Sequence, residues 1–412
     1  MRAWKHYPVP LIDGRGERPT LFDSRTRQPM VVGPEHGPAR LYVCGITPYD
    51  ATHLGHAFTY VSVDLLHRAW LDAGYQVRFA QNVTDVDDPL LERAAAVGVD
   101  WVALAEQETD LFRSDMEKLN VLPPHYYRGV VESLPLVEEA VVALRERGAA
   151  YQIDDPEYPD WYFDISLLPS ALASMQSELG MDTAQLLAVF AERGGDPERP
   201  GKRHKLDSLL WRMERPGEPA WDSPLGRGRP GWHIECAALS LDGLGADFDV
   251  QAGGTDLAFP HHPMCAAQAQ TLTQEPFAEA YMHVGMVGLD GEKMSKSKGN
   301  LVFVHKLLER AVPPQAIRLL LLAHHYRSEW EYTECEMRKA MQRFERWSAA
   351  FNRESGPAWE PVLAEVRASL ANDLDAPSAL AAIDAWAAAE GEDRKAPGKL
   401  RSAADALLGV RV

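Results

Sequence analysis

The sequence predicts an α/β fold: a parallel-sheet domain interrupted by an inserted segment and followed by a C-terminal all-helical bundle. Three observations carry that reading. A short apolar run at residues 41–43 reads as a buried strand. After it, Phe58, Val61, Leu65 and Ala69 recur at helical spacing, and a second strand follows over residues 76–83. Strand–helix–strand of this length implies a parallel pair with a right-handed crossover. Residues from about 125 to 215 then alternate helical text (137–146) with loop-rich text (154–160 and 194–205), and beyond Pro313 the chain is almost wholly helical, as at 316–323, 336–351 and 362–370.

In chain order, Pro8, Pro10, Gly14, Gly16, Pro19, Pro29, Gly33, Pro34, Gly37 and Pro38 mark residues 1–38 as an arm. Residues 39–125 and 216–300 make the parallel-sheet domain, with Gly74 and Gly98 where helices should stop and Pro89 where one should open. Residues 126–215 are the insertion. A glycine- and proline-rich passage over 215–231 leads back to strand-like text at 248–251 and 283–287. Residues 301–335 connect to a helical bundle over 336–412, within which 391–399 reads as a polar linker.

Composition narrows the function. The chain has 412 residues, 46% of them hydrophobic, so a disordered chain is excluded. There are 42 Lys+Arg against 60 Asp+Glu, a net charge of −18, which argues mildly against a large nucleic-acid footprint. No apolar run is long enough to span a membrane or to act as a secretory signal, so a cytoplasmic protein is expected. Four cysteines (Cys44, Cys236, Cys265 and Cys335) are too few for a disulfide scaffold and suit metal binding or catalysis in a reducing compartment. Cys335 has no motif around it and is expected to lie in a helix core.

Two short motifs carry phosphate chemistry. His53-Leu54-Gly55-His56 lies where the first long helix begins. A helix start offers free N–H groups and a positive dipole end, and two imidazoles there can donate to oxygens that gain charge in nucleotidyl transfer. Lys293-Met294-Ser295-Lys296-Ser297, flanked by Gly291, Gly299 and Asn300, reads as a loop whose ammonium groups neutralise a leaving pyrophosphate. Either motif alone is weak, since surface histidines and solvated lysines are common. Together, after a strand, they resemble the signature pair of class I aminoacyl-tRNA synthetases, which implies a Rossmann-like nucleotide-binding catalytic domain of that type.

A third constellation narrows the resemblance. Cys44-Gly45-x-Thr47, Gly231-Trp232-His233-Ile234-Glu235-Cys236 and Phe259-Pro260-His261-His262 resemble cysteinyl-tRNA synthetase, whose corresponding segments supply the ligands of an active-site Zn²⁺. The resemblance implies one Zn²⁺ per chain on Cys44, Cys236 and His261. Zinc suits the task because an apolar pocket separates cysteine from serine poorly, whereas a thiophilic ion with an open position binds thiolate strongly and alcohol weakly. Where that family has a glutamate, four residues after His261, this chain has Cys265. Either Cys265 completes a Cys₃His sphere or it stands aside; the open position needed for substrate favours three ligands.

Other features depart from a tRNA ligase. Only 115 residues follow Ser297, which is short for an anticodon-reading domain, and helical text such as 378–389 is alanine-rich with no basic or aromatic stripe. Cys44-Gly45-Ile46-Thr47-Pro48-Tyr49-Asp50 replaces the synthetase's usual wording. With the arm, Glu192-Arg193-Gly194-Gly195-Asp196-Pro197 and the ending at 404–410, it resembles the mycothiol-pathway cysteine ligases. The resemblance implies ATP-dependent ligation of L-cysteine to the amine of glucosaminyl-inositol through cysteinyl-adenylate, with ATP taken as its Mg²⁺ complex and 301–335 as a stem-contact-like region. His53, His56, Lys293 and Lys296 are then the catalytic residues. Cys44, Gly45, Ile46, Thr47, Thr59, Asn82, Val83, Thr84, Trp232, Gly254, Thr255, Asp256 and Val287 line the adenylate pocket. Asp256 would contact an amino group or cap its own tight turn; Trp232 would line the site or the core. The implied partners are small molecules, with no nucleic acid and no membrane, and a monomer is expected. The rivals are a cysteinyl-tRNA synthetase, a non-catalytic synthetase-like binding module and a small nucleotidyltransferase.

Overall fold

The arm folds back on itself before the catalytic sheet begins. In the computed structural model, which describes residues 1–289, 291–294 and 300–412, β1 (Thr20–Asp23) and β2 (Gln28–Val31) form an antiparallel hairpin. Four-residue strands are too short to show alternation, which is why proline and glycine punctuation hid them. Trp4 pins the start of the arm: it is buried, its indole N–H donates to the Val121 carbonyl at 2.8 Å, and it packs edge-on against Phe112 and Tyr127.

The central layer then runs β3 (Ala39–Val43), α1 (Leu54–Ala73), β4 (Val77–Val83), α2 (Asp88–Val97), α3 (Trp101–Lys118) and β5 (Tyr126–Gly129). Gly74 ends α1 at a positive φ of 95°, the left-handed conformation that glycine adopts without strain. The insertion carries α4 (Leu134–Glu146), β6 (Ala150–Gln152), β7 (Trp161–Phe163), α5 (Pro169–Leu179), α6 (Thr183–Glu192), β8 (Leu209–Met213) and β9 (Gly228–Pro230). The four strands β6 to β9 pair antiparallel, so this layer runs past the boundary at residue 215 read from composition. The chain returns through α7 (Trp232–Leu244), β10 (Phe248–Gly254), α8 (His261–Thr273) and β11 (Ala278–Val284).

Strand order in the central sheet is β11-β10-β3-β4-β5, parallel throughout. Alternation along the strands sorts the two faces. Leu41, Val43, Val250 and Met282 pack towards α1, while Tyr42, Ala80 and Tyr281 pack towards α4, α7 and α8. The expected strand over 283–287 is two strands: β11 stops at Val284, and β12 (Val287–Leu289) starts a small sheet with β13 (Glu292–Lys293) and β14 (Trp330–Glu331). Gly285 makes the break, its N–H donating to the Tyr326 carbonyl at 2.8 Å.

The remainder is helical: α9 (Val304–Glu309), α10 (Pro314–Leu322), α11 (Glu334–Phe351), α12 (Glu360–Ala371), α13 (Ala376–Ala388) and α14 (Ala396–Leu408). The polar stretch at 391–399 is only partly a linker, because Pro397 in the first turn opens α14 rather than ending structure. Cys335 is exposed on the first turn of α11, contrary to the core position expected. The bundle is bolted to α1 by buried charge. Arg68 meets Asp64 at 2.6 Å and donates to the Asp405 carbonyl at 2.7 Å; Arg318 also pairs with Asp64 and donates to the Leu408 carbonyl at 2.6 Å. Burial alone would raise the Asp64 pKa, but Arg68 and Arg318 hold it below the usual carboxylate range.

Candidate active site and metal centre

Neighbouring strands β3 and β10 lead away to opposite sides of the sheet, which places the crevice at their carboxyl ends. Cys44 follows β3 there. The turn it opens is pressed onto β4: a Cβ on Gly45 would lie 1.6 Å from the Asn82 carbonyl oxygen, so only glycine fits. The Asn82 side chain accepts the Gly45 N–H at 2.8 Å and the Tyr42 hydroxyl at 3.0 Å, and donates to Thr84 Oγ1 at 3.1 Å. The Thr84 N–H in turn donates to the Ile46 carbonyl at 2.9 Å. Asn82 and Thr84 thus bracket the Cys44–Thr47 turn, and Val83 is buried in the apolar core. Ile46 is buried in the same turn, and the Thr47 carbonyl accepts the Tyr49 N–H at 2.9 Å.

Cys236 in the second turn of α7 and His261 at the start of α8 meet Cys44 across this turn. One ligand atom from each lies within 4.8 Å of the others, and all three residues are buried. Hydrogen bonds from Cys265 and Cys44 hold the Cys236 thiol well below its ordinary pKa, whereas burial pushes the Cys44 and Cys265 thiols up. The cluster therefore favours one thiolate, at Cys236, before any ion arrives. Two sulfurs and an imidazole fit Zn²⁺ with a position to spare. Cys265 donates to the His233 carbonyl at 3.3 Å and sits 3.6 Å from His261 Nε2. It also groups with His233 and His261 in a second, overlapping set of donors.

Trp232 is half-buried and stacks on the His261 ring at 4.2 Å, a wall of the cluster rather than of the core. Residues that the sequence reading did not assign to the site complete its surroundings. Gln251 Nε2 donates to Cys44 Sγ at 3.2 Å, His262 Nε2 lies 3.4 Å from the same sulfur, and His262 Nδ1 is 2.8 Å from His283 Nε2. Burial lowers the pKa of both rings, His283 to about 4, so each carries a single proton at neutral pH. The signals available were the His-His pair and the odd polar residue in an apolar strand.

The histidine motif is built on one helix start, and its backbone differs from expectation. Free N–H groups were anticipated there. Instead, His53 Nδ1 accepts the Gly55 and His56 N–H groups at 3.1 and 3.4 Å, and the Leu54 N–H donates to the Val302 carbonyl at 2.9 Å. The first turn is already capped, so the donors left to it are side chains. Capping through Nδ1 puts the proton of a neutral His53 ring on Nε2, which makes that atom a donor. The His53 and His56 rings stack at 3.8 Å. Burial outweighs the pull of Asp256 and Asp50 and lowers the His56 pKa to about 4.

The Val304 N–H donates to the Thr52 carbonyl at 2.9 Å, so the segment leading into α9 is stitched to the histidine motif on both sides of His53. Lys293 lies on β13; Lys296 lies outside the described residues. The Thr59 hydroxyl turns back to the Gly55 carbonyl at 3.2 Å. Gly254 ends β10, and the Thr255 hydroxyl donates to the Val284 carbonyl at 2.8 Å. The charge of Asp256 reaches His56 on one side and His283 on the other, which joins the two halves of the crevice. Val287 is buried where β12 begins.

The family described as tRNA synthetases class I (C) catalytic domain matches residues 31–342. The L-cysteine:1D-myo-inositol 2-amino-2-deoxy-alpha-D-glucopyranoside ligase of Kineococcus radiotolerans is 57% identical over 100% of this chain and 99% of its own. Its namesake in Streptomyces coelicolor is 56% identical over 100% of both chains. The chain belongs to this ligase family. Among solved structures, the Mycobacterium tuberculosis methionyl-tRNA synthetase in complex with methionyl-adenylate superposes with a TM-score of 0.62 at 17% identity, covering 90% of each chain. The leucyl enzyme of Agrobacterium radiobacter K84, solved with tRNA, gives 0.68 at 13% identity, covering 92% of this chain and 84% of that one. Those two likenesses establish the ligase family's class I synthetase fold here. No helix among the described residues is long and apolar enough to cross a membrane.

Proposed function

We propose that the chain joins L-cysteine to the amine of glucosaminyl-inositol at the expense of ATP, through cysteinyl-adenylate, in mycothiol biosynthesis. The observation that carries this reading is a juxtaposition. A buried Cys44–Cys236–His261 donor set stands at the same sheet edge as a capped histidine pair, in a chain that matches named cysteine ligases from end to end.

Cys44, Cys236 and His261 would hold Zn²⁺, which when bound supplies a thiol-selective Lewis acid at the bottom of the crevice. Trp232 walls that position, and Asp256 would hold the ammonium group. The cysteine carboxylate attacks the α-phosphorus of ATP, and pyrophosphate leaves. His53, through Nε2–H, and His56 donate to phosphate oxygens as charge builds on them, assisted by Lys293 and Lys296. The acceptor amine then attacks the activated carbonyl carbon, the amide forms, a proton leaves the nitrogen and AMP departs. The second step asks the protein chiefly for positioning and proton removal.

The test offers the pure protein cysteine and ATP with either glucosaminyl-inositol or tRNA. The expected result is amide and AMP with the amino sugar alone. Cysteine attached to tRNA instead makes the chain a cysteinyl-tRNA synthetase, and no cysteine-dependent ATP–pyrophosphate exchange makes it a binding module.

A further inference from the structure

The segment Glu192-Arg193-Gly194-Gly195-Asp196-Pro197 lies in the insertion, where α6 ends and the chain turns back. The Gly195 N–H donates to the Phe190 carbonyl at 2.8 Å, and a Cβ on Gly195 would lie 2.4 Å from the Phe190 ring, so the tight return needs glycine. Asp196 anchors the far side of the turn: its carboxylate accepts the Tyr162 hydroxyl from β7 and meets Lys202 Nζ at 2.9 Å. From this fixed turn Arg193 leaves the insertion, and its Nη1 donates to the carbonyls of Asp256 and Phe259.

Those two carbonyls belong to the short turn that joins β10 to α8. The residue four places after each is a proline, Pro260 and Pro263, which has no N–H to give. Phe259 is buried, and a buried carbonyl left without a donor is costly. One guanidinium nitrogen, with two N–H groups, serves both carbonyls. The Asp256 carboxylate lies over the end of β10, since a Cβ on Gly254 would lie 2.5 Å from Asp256 Oδ1. Holding the backbone of this turn therefore sets where that carboxylate stands in the crevice.

We propose that Arg193 is a positioning residue for the amino-acid substrate, tying the turn so that the Asp256 carboxylate stands where the ammonium group of cysteine arrives. It touches no reacting atom. The insertion takes part in recognising the amino acid through two backbone carbonyls. The proposal rests on the reading of Asp256 as the holder of that ammonium group.

The experiment uses the full chain supplied with Zn²⁺ and follows binding by calorimetry. Arg193→Ala is expected to weaken cysteine and cysteamine, which both carry the ammonium group, by about 10-fold, the order of one lost hydrogen bond to a charged group. 3-Mercaptopropionate keeps the thiol and the carboxylate but has no ammonium group; its affinity should stay at the wild-type level, and so should Zn²⁺ retention. Asp256→Asn should show the same pattern, and adding Arg193→Ala to it should cost nothing further, because both act on one contact. Arg193→Lys, which carries the test should the alanine variant fail to fold, is expected to show the same pattern at smaller size. Wild-type cysteine affinity in Arg193→Ala, or in Arg193→Lys where the alanine variant does not fold, overturns the proposal, as does an equal loss for 3-mercaptopropionate. An Asp256→Asn protein that binds cysteine normally overturns the reading of Asp256 itself, and this proposal with it.

Discussion

The two halves of the crevice prepare for their ligands in opposite ways. At the thiol cluster, side chains from the end of β3, the middle of β10 and the first turns of two helices converge, and their polar atoms already face one another. At the phosphate side a single helix start supplies both rings, and its backbone donors are already used inside the protein. On the proposed function, the cluster is a preformed receptor for a sulfur, whereas the helix start offers imidazole edges and needs cations from elsewhere to balance a triphosphate. On that reading, recognition of cysteine is built into the fold, and the charge for the chemistry is brought to it.

Substitutions can test that contrast. Cys236→Ser should abolish metal retention and cysteine-dependent ATP–pyrophosphate exchange together, the latter by on the order of 10³-fold; metal content by mass spectrometry that stays at the wild-type level would break the comparison at its thiol end. His53→Ala removes both the cap and the Nε2 donor, and should slow exchange by about 10²-fold while lowering helix stability by about 1 kcal/mol. His53→Asn separates the two effects, since asparagine caps well: the melting temperature should recover and the rate should not. Lys296→Ala should slow adenylate formation roughly 10-fold or more while the cysteine KM in exchange stays near wild type; a raised KM with an unchanged rate would assign that lysine to the thiol half instead.

Smaller effects follow from titration. The His56 pKa in the fold is about 4 against an ordinary 6.5, so the fold favours the neutral ring. The stability it contributes is complete above about 6.5 and lost as pH falls towards 4. Its imidazole signal in NMR should titrate near 4 in the free protein and move upward when ATP brings negative charge. Asp115 runs the other way. Burial, only partly offset by Lys118 and the Thr52 hydroxyl, raises its carboxyl to about 7 from 3.8, so its cost to stability grows as pH climbs through that window. Asp115→Asn should therefore raise the melting temperature more at pH 8 than at pH 5, by roughly 2 °C or more.

Much of this was legible in the chain, for identifiable reasons. The helix spacing of Phe58, Val61, Leu65 and Ala69, closed by Gly74, gave α1 its place because that face is buried along its whole length. The residues Cys44, Cys236 and His261 do meet, as the family wording implied, although nothing in their separation could show it. What escaped was whatever depends on where single side chains and short segments come to rest in space. Asn82 reads as pocket lining until Gly45 is seen against its carbonyl. The helix start reads as open until His53 is seen to cap it. The hairpin of the arm, the split between β11 and β12 and the exposure of Cys335 were hidden because short or irregular segments carry no period.

The stitch between Thr52–Leu54 and Val302–Val304 has a consequence for how nucleotide arrival is felt. These bonds join backbone to backbone, so a shift of the segment entering α9 reaches the amide of Leu54 without passing through any side chain. That amide is therefore a natural reporter: its solvent-exchange rate, followed by mass spectrometry, should slow as ATP fills the crevice and stay indifferent to cysteine alone.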